Sequence, residues 1–227
     1  MDFSAIAKDL RDSRDSREIE EYGKILSDEE REEKEKEIER ERKEEEIKRS
    51  MNFFSDTVPL RFKNATFDTF ICSSEKQESV IEFLKKGKSA IIYGSNGTGK
   101  THLAFASCFY QVSLGKTAKY VLAFDFFNEI RKSFGDYSTD MVIGKYEAVD
   151  YLVIDEIDKT QGTPMEFPYL YSLINKRYNA MLPTVLVTNA RPDEFKEIIG
   201  VSALDRVASE GKVIDLSGDN YRQKRSE

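Results

Sequence analysis

The eight residues Gly94-Ser95-Asn96-Gly97-Thr98-Gly99-Lys100-Thr101 satisfy the pattern G-x-x-x-x-G-K-[ST] at every fixed position, a pattern with physical meaning only between a strand and a helix. The flanks supply both. Ser89-Ala90-Ile91-Ile92-Tyr93 reads as a buried strand, and Thr101 to Leu114 reads as a helix stopped by Gly115. In that setting the backbone N–H groups of the glycine-rich turn cradle a β-phosphate at a helix N-terminus. Lys100 then pairs with the β- and γ-phosphates, and the Thr101 hydroxyl holds Mg²⁺. The alternative is a glycine-rich turn that binds nothing.

A second, acidic ligand for Mg²⁺ is offered by Leu152-Val153-Ile154-Asp155-Glu156, an apolar run that ends in two carboxylates. Asp155 would hold the water shell of the ion, and Glu156 could polarise a water that attacks the γ-phosphate. This adjacent carboxylate discriminates between chemistries, because a kinase must exclude a water-activating base and a hydrolase needs one. A third apolar run, Thr184 to Thr188, ends in Asn189, placed to hold the attacking water or the γ-phosphate. Asn is also a common turn residue, so this signal alone is weak.

Charge marks the domain boundary. Residues 1–50 contain 19 acidic and 13 basic side chains, so nearly all of the net charge of −7 lies there. From Asp28 to Arg49 only Ile38 and Ile47 are uncharged, and pairs such as Glu32/Lys36 and Glu39/Lys43 are spaced i, i+4. The reading is a solvated helical extension, either a spacer or a partner-binding segment, with sparse apolar residues (Phe3, Ile6, Leu10, Ile19, Tyr22, Ile25, Leu26) near its start. Residues 51–227 are expected to form the catalytic domain.

Several function classes fall away on composition. Cys72 and Cys108 have no metal-ligand spacing and read as reduced core residues, which suits a cytoplasmic protein. His102, the single histidine, is expected to be packed locally. No apolar stretch approaches the ~18 residues of a membrane span, and no signal peptide is visible. Five strand candidates (Ser89 to Tyr93, Lys119 to Phe124, Tyr151 to Asp155, Thr184 to Thr188, Lys212 to Leu216) alternate with helices, which predicts a three-layer α/β sandwich with a mainly parallel five-stranded sheet.

Taken in order, Pro59-Leu60-Arg61-Phe62, Gly94 to Leu103, Leu152 to Glu156, Asn175-Lys176-Arg177-Tyr178, Val187-Thr188-Asn189 and Ala203-Leu204-Asp205-Arg206-Val207 resemble the DnaC/DnaI/IstB branch of AAA+ ATPases. The resemblance runs from Pro59 to Arg222. It implies Lys100, Thr101 and Asp155 on phosphate and Mg²⁺, Glu156 for hydrolysis, Asn189 as sensor 1, and Arg206 as an arginine finger reaching a neighbouring subunit's ATP. It also implies a P-loop fold with a short or absent helical lid. Arg222 lies where loaders often carry another arginine.

The resemblance implies an ATP-dependent homo-oligomer that loads a DnaB-type replicative helicase onto single-stranded DNA. The alternative is an IstB-like transposition helper that works with a transposase on DNA. A P-loop kinase is disfavoured by Glu156, Asn189 and Arg206. Two smaller expectations follow. The turn at Pro59 to Phe62 either plugs the core or packs against the adenine. Lys116, Lys119, Phe127, Arg131, Lys132 and Phe134 are candidates for single-strand contact, although helical spacing favours the core for Phe127, Ile130 and Phe134.

Overall fold

A computed structural model describes residues 28–135, 138–160 and 167–218. The chain divides into two compact units, Met1–Glu46 and Ile47–Glu227. In the first, residues 31–46 form a helix whose side chains are all exposed, with ion pairs Glu32–Lys36 at 3.7 Å and Glu39–Lys43 at 3.3 Å along its surface. The apolar residues expected to dock near the start of the extension lie outside the described residues. The helix itself, α1 (Asp28–Thr57), does not stop at the change of composition after Ser50. It continues because the sequence acquires an inward face there: Phe54 and the following Val58 are buried, and Phe54 meets Phe109 edge to face at 4.9 Å.

The second unit is built on a five-stranded, all-parallel sheet in the order β2-β3-β4-β1-β5. The strands are β1 (Ser89–Tyr93), β2 (Ala118–Leu122), β3 (Tyr151–Asp155), β4 (Thr184–Thr188) and β5 (Gly211–Asp215). Around it run α2 (Glu75–Lys85), α3 (Lys100–Ser113), α4 (Ala123–Ser133), α5 (Thr139–Glu147), α6 (Phe167–Asn179), α7 (Pro192–Ile199) and α8 (Val201–Ser209). Both sheet faces are buried, and the strand period divides the core in two. Ala90, Ile92, Val153, Val185 and Val187 pack on one side with α2 and α3. Ile91, Leu152, Ile154 and Leu186 pack on the other with α4 to α8. The three-layer α/β reading is borne out.

The two edge strands differ from expectation. β2 ends at Leu122, because Ala123 already opens α4; Phe124 sits on that helix, 59 % exposed. β5 begins one residue early, at Gly211, which pairs with Ser89 of β1. Phe127 and Ile130 are fully interior, so of the candidate nucleic-acid residues on α4 only the end of the helix remains at the surface.

One buried cation ties the far layer together. Arg177 on α6 is completely inaccessible. Its guanidinium donates to the carbonyls of Tyr146 (2.9 Å) and Glu147 (3.1 Å) in the last turn of α5, and to Val149 (2.7 Å) just beyond. It also donates to the Pro183 carbonyl (2.7 Å) and to Thr184 Oγ1 (3.0 Å) at the start of β4. The Tyr146, Glu147 and Val149 carbonyls are orphan groups of the kind a helix end leaves without intrahelical partners. Burial pulls the guanidinium pKa down to about 10, against the nearby charges of Asp150 and Glu147, so the group stays charged at neutral pH. Arg177→Leu keeps the volume apolar but leaves several buried carbonyls unsatisfied; urea unfolding of this variant should show a loss of about 3 kcal/mol or more. An unchanged midpoint would mean that water replaces the guanidinium.

Candidate functional site

The glycine-rich loop joins β1 to α3 at the carboxyl edge of the sheet, where open α/β sheets bind ligands. Gly97 (φ 84°) and Gly99 (φ 93°) occupy left-handed backbone that side chains avoid, and they turn the chain into the first turn of α3. At Gly99 space forbids a side chain as well: a Cβ there would stand 2.5 Å from Cε2 of Phe70. Phe70 therefore packs directly on the loop. Lys100 is buried, and its Nζ donates to the carbonyls of Gly94 and Ser95, both at 2.7 Å. Thr98 is buried and closes the turn through Ser95 O at 3.0 Å.

The second and third motifs meet this loop. Thr101 Oγ1 donates to Asp155 Oδ2 at 2.9 Å, and Tyr120 of β2 donates its phenol to the same oxygen at 2.8 Å. The Glu156 backbone N–H serves the other carboxylate oxygen at 2.6 Å. Burial pushes the Asp155 carboxyl above the usual carboxylate range, against the pull of its three donors. Glu156 itself takes a left-handed backbone (φ 58°), a strained conformation for a side-chain-bearing residue, and its carboxylate pairs with Lys159.

Asn189, at the end of β4, is held by Asp158: the backbone N–H donates to Oδ1 at 2.8 Å and the side-chain Nδ2 to Oδ2 at 3.0 Å. Thr188 Oγ1 adds a bond to Oδ1 at 2.9 Å. Burial works to raise the Asp158 carboxyl, but the bonds from Asn189 and Thr188 outweigh it and hold the carboxyl below its ordinary range.

These groups surround one cavity of about 460 Å³, lined by Asn96, Gly97, Gly99, Lys100 and Thr101 from the loop, and by Asp155, Glu156 and Asn189 from the strand ends. Phe62, Phe70 and Ile71 supply its apolar wall and Arg61 lines it as well, so the turn predicted at Pro59 to Phe62, a 3-10 turn over Leu60–Phe62, both stacks on the core through Phe105 (5.0 Å) and borders the cavity. A half-open cavity bordered by the glycine-rich loop, a lysine and two phenylalanines suits a nucleoside triphosphate. The donor set also suits a hard cation: a hydroxyl and a carboxylate 2.9 Å apart are oxygen ligands of the kind Mg²⁺ takes alongside its waters.

His102 also lines the cavity, where its ring meets Thr66 O at 2.9 Å and Thr69 Oγ1 at 3.3 Å, partners distant in the chain rather than the local contact expected of it. The remaining candidates lie elsewhere. Cys108 is buried and Cys72 half-buried, both as free thiols. Arg206 on α8 does not line the cavity of its own chain. Its Nε donates to Asn175 Oδ1 at 2.7 Å and its Nη1 to Ser202 O at 2.8 Å, and the guanidinium lies over the Tyr171 ring at 5.0 Å. Arg222 falls outside the described residues. Sequence reasoning missed Tyr120 and Asp158; the one available signal was the carboxylate three residues after Asp155 in Asp155-Glu156-Ile157-Asp158-Lys159.

The family description of IstB-like ATP-binding proteins matches residues 24–227. The chain belongs to that family. It is 25 % identical over 170 residues to the ATP-binding protein of insertion sequence IS5376 from Geobacillus stearothermophilus, covering 69 % of this chain and 67 % of the relative. It is 27 % identical over 154 residues to the replicative helicase loader DnaC of Escherichia coli K12, covering 66 % of this chain and 63 % of that protein. Both kinds of relative thus match about equally, over about two thirds of their length.

The crystal structure of the DnaC helicase loader superposes with a TM-score of 0.62 at 19 % identity, over 69 % of this chain and 99 % of that one. AMPPCP-bound DnaA from Aquifex aeolicus gives 0.61 at 23 %, over 68 % and 50 %. These likenesses show the fold. As an IstB-like protein the chain carries an AAA+ ATPase domain, and the DnaC/DnaI/IstB resemblance read from its motifs is borne out.

The burial of Asp155 has a measurable consequence in this IstB-like domain. An acid whose folded pKa is raised contributes stability below its ordinary pKa and loses it as pH rises through the folded value. At neutral pH, Asp155→Asn should therefore raise the melting temperature of the ligand-free protein while abolishing Mg²⁺-dependent ATP affinity. Calorimetry and nucleotide titration on the same sample check both; a lowered melting temperature would mean that the hydrogen bonds outweigh the buried charge.

Proposed function

We propose that this protein is an ATP-dependent helicase loader that binds a DnaB-type replicative helicase and places it on single-stranded DNA during replication initiation, working in the cytoplasm as an ATP-dependent homo-oligomer. The observation that carries the chemistry is the meeting of the loop, Asp155-Glu156 and Asn189 around one cavity. In this reading Gly94 to Thr101 hold the phosphates, with Lys100 transferring its Nζ from the Gly94 and Ser95 carbonyls. Thr101 and Asp155 hold Mg²⁺, which when bound neutralises charge on the β- and γ-phosphate oxygens. Glu156 takes a proton from the attacking water, and Asn189 positions that water or the γ-phosphate. Arg206, engaged on α6 and α8 rather than in its own cavity, acts as a finger toward the next subunit's ATP.

Residues 1–50 serve as the partner-binding extension and residues 51–227 as the ATPase domain. Support for the extension's role comes from residues 31–46, which are exposed throughout and contribute nothing to the core. Arg131, Lys132 and the partly exposed Phe134 at the end of α4 are the surface offered to single-stranded DNA. A second reading, an IstB-like transposition helper that acts on DNA with a transposase, is favoured by the match to the IS5376 protein.

Capture of the protein partner separates the readings. Glu156→Gln should bind ATP normally, stop turnover and co-purify with a DnaB-type helicase; removing residues 1–46 should leave ATP affinity intact and abolish that capture. Capture of a transposase instead would select the second reading. Mixing two inactive variants, Lys100→Ala and Arg206→Ala, should restore part of the turnover, since each retains what the other lacks. No recovery would confine Arg206 to its contacts with Asn175 and Tyr171.

A further inference from the structure

The side chain of Asn189 could face its surroundings in two ways related by a half-turn of the amide. Its neighbour decides between them. The carboxylate of Asp158 accepts three hydrogen bonds, from Thr188 Oγ1, the Asn189 backbone N–H and the Asn189 side chain. A carboxylate in this setting only accepts, so the atom of Asn189 facing it must be Nδ2. The Asn189 carbonyl, Oδ1, is thereby left on the side away from Asp158, in a residue that lines the cavity.

Asp158 belongs to the 3-10 turn Ile157–Lys159 that directly follows Asp155 and Glu156. The same turn holds Glu156 through Lys159 and Asn189 through Asp158. Its placement therefore sets two groups of the site against each other across β3 and β4.

We infer that Asp158 is a positioning residue for hydrolysis: it fixes the Asn189 amide so that its carbonyl accepts a hydrogen bond from the attacking water, rather than its amide nitrogen donating to the γ-phosphate. The inference rests on reading the cavity as an ATP hydrolysis site. In that step the water oxygen bonds to the γ-phosphorus, the bond to the bridging oxygen breaks to release ADP, and Glu156 takes the water's proton. Two acceptors, Glu156 and Asn189 Oδ1, then align the two hydrogens of one water. Asp158 touches neither water nor nucleotide and acts through Asn189.

The substitution that tests this is Asp158→Asn, because it preserves the anchor and inverts the polarity. The introduced carbonyl still accepts from Thr188 and from the Asn189 backbone, so the turn keeps its attachment to β4. The introduced NH₂ faces Asn189 Nδ2, donor against donor, and the Asn189 amide relieves the clash by a half-turn. Oδ1 then faces the substituted side chain, and a donor replaces the acceptor in the cavity.

ATP binding, steady-state turnover and melting temperature should be measured on the full-length wild type, Asp158→Asn, Asn189→Ala and the double variant. Asp158→Asn should stay folded with a modest loss of melting temperature, since a carboxyl held below its ordinary range stabilises the fold at neutral pH; its KM for ATP should stay within about twofold while kcat falls by about 10- to 100-fold, the cost of a misplaced reactant. In the Asn189→Ala background the same substitution should cost nothing further. Wild-type turnover with an unchanged kcat in Asp158→Asn, or a loss that multiplies with that of Asn189→Ala, would overturn the inference alone. A wild type that binds ATP but never hydrolyses it would overturn the functional reading and this inference with it.

Discussion

Asp155 is 2 % exposed, yet it accepts hydrogen bonds from three separate parts of the chain: Thr101 at the head of α3, Tyr120 on β2, and the backbone of Glu156. Taking a carboxylate out of water costs several kcal/mol unless donors replace the lost hydration. Three donors converging on one oxygen pair offset part of that cost and tie the glycine-rich loop to β3. Glu156 must then follow in a left-handed turn, and the 3-10 turn after it brings Asp158 against the end of β4. The glycine-rich loop, Glu156 and Asn189 are thus linked through Asp155 and the turn that follows it.

Around that centre the fold provides rigidity in two layers. The apolar wall of the site is continuous with the core: Phe62 stacks on Phe105, Phe105 stacks on Tyr120 at 3.9 Å, and Tyr120 reaches Asp155. Phe62, which borders the cavity, is thus joined through two rings to the residue that bonds Asp155. On the opposite layer Arg177 fixes the exit of α5 and the entry to β4, the strand that delivers Asn189. The site is assembled on strand ends that the core on both faces holds in register, which is how a small displacement at one motif is kept from misaligning the others.

The central strands were legible because they are buried on both faces: β1, β3 and β4 are uninterrupted apolar runs, and their observed limits equal those read from the sequence. The edge strands β2 and β5 are half exposed, so the apolar signal fades at their ends and the boundaries shifted by one or two residues. The loop, Asp155, Glu156 and Asn189 stood out because their chemistry is carried by consecutive residues. Tyr120 and Asp158 did not, and Arg177 was read only as part of a motif, because each acts on at least one partner about 30 or more positions away, and neither spacing nor periodicity records such pairings. The helix α1 shows the opposite case: composition changes at Ser50, yet the backbone runs on to Thr57, because helix propensity does not end where charge does.

On the proposed reading, Lys100, Thr101 and Asp155 form a preassembled triphosphate and Mg²⁺ site whose present hydrogen bonds stand in for ligand contacts. A crystal structure of the full chain with a non-hydrolysable ATP analogue and Mg²⁺ tests it most directly. Lys100 Nζ should have moved from the Gly94 and Ser95 carbonyls onto the phosphates, and the Thr101–Asp155 hydrogen bond should have opened with the metal between the two residues. Nucleotide bound elsewhere, or bound here with both of those hydrogen bonds intact, would contradict it.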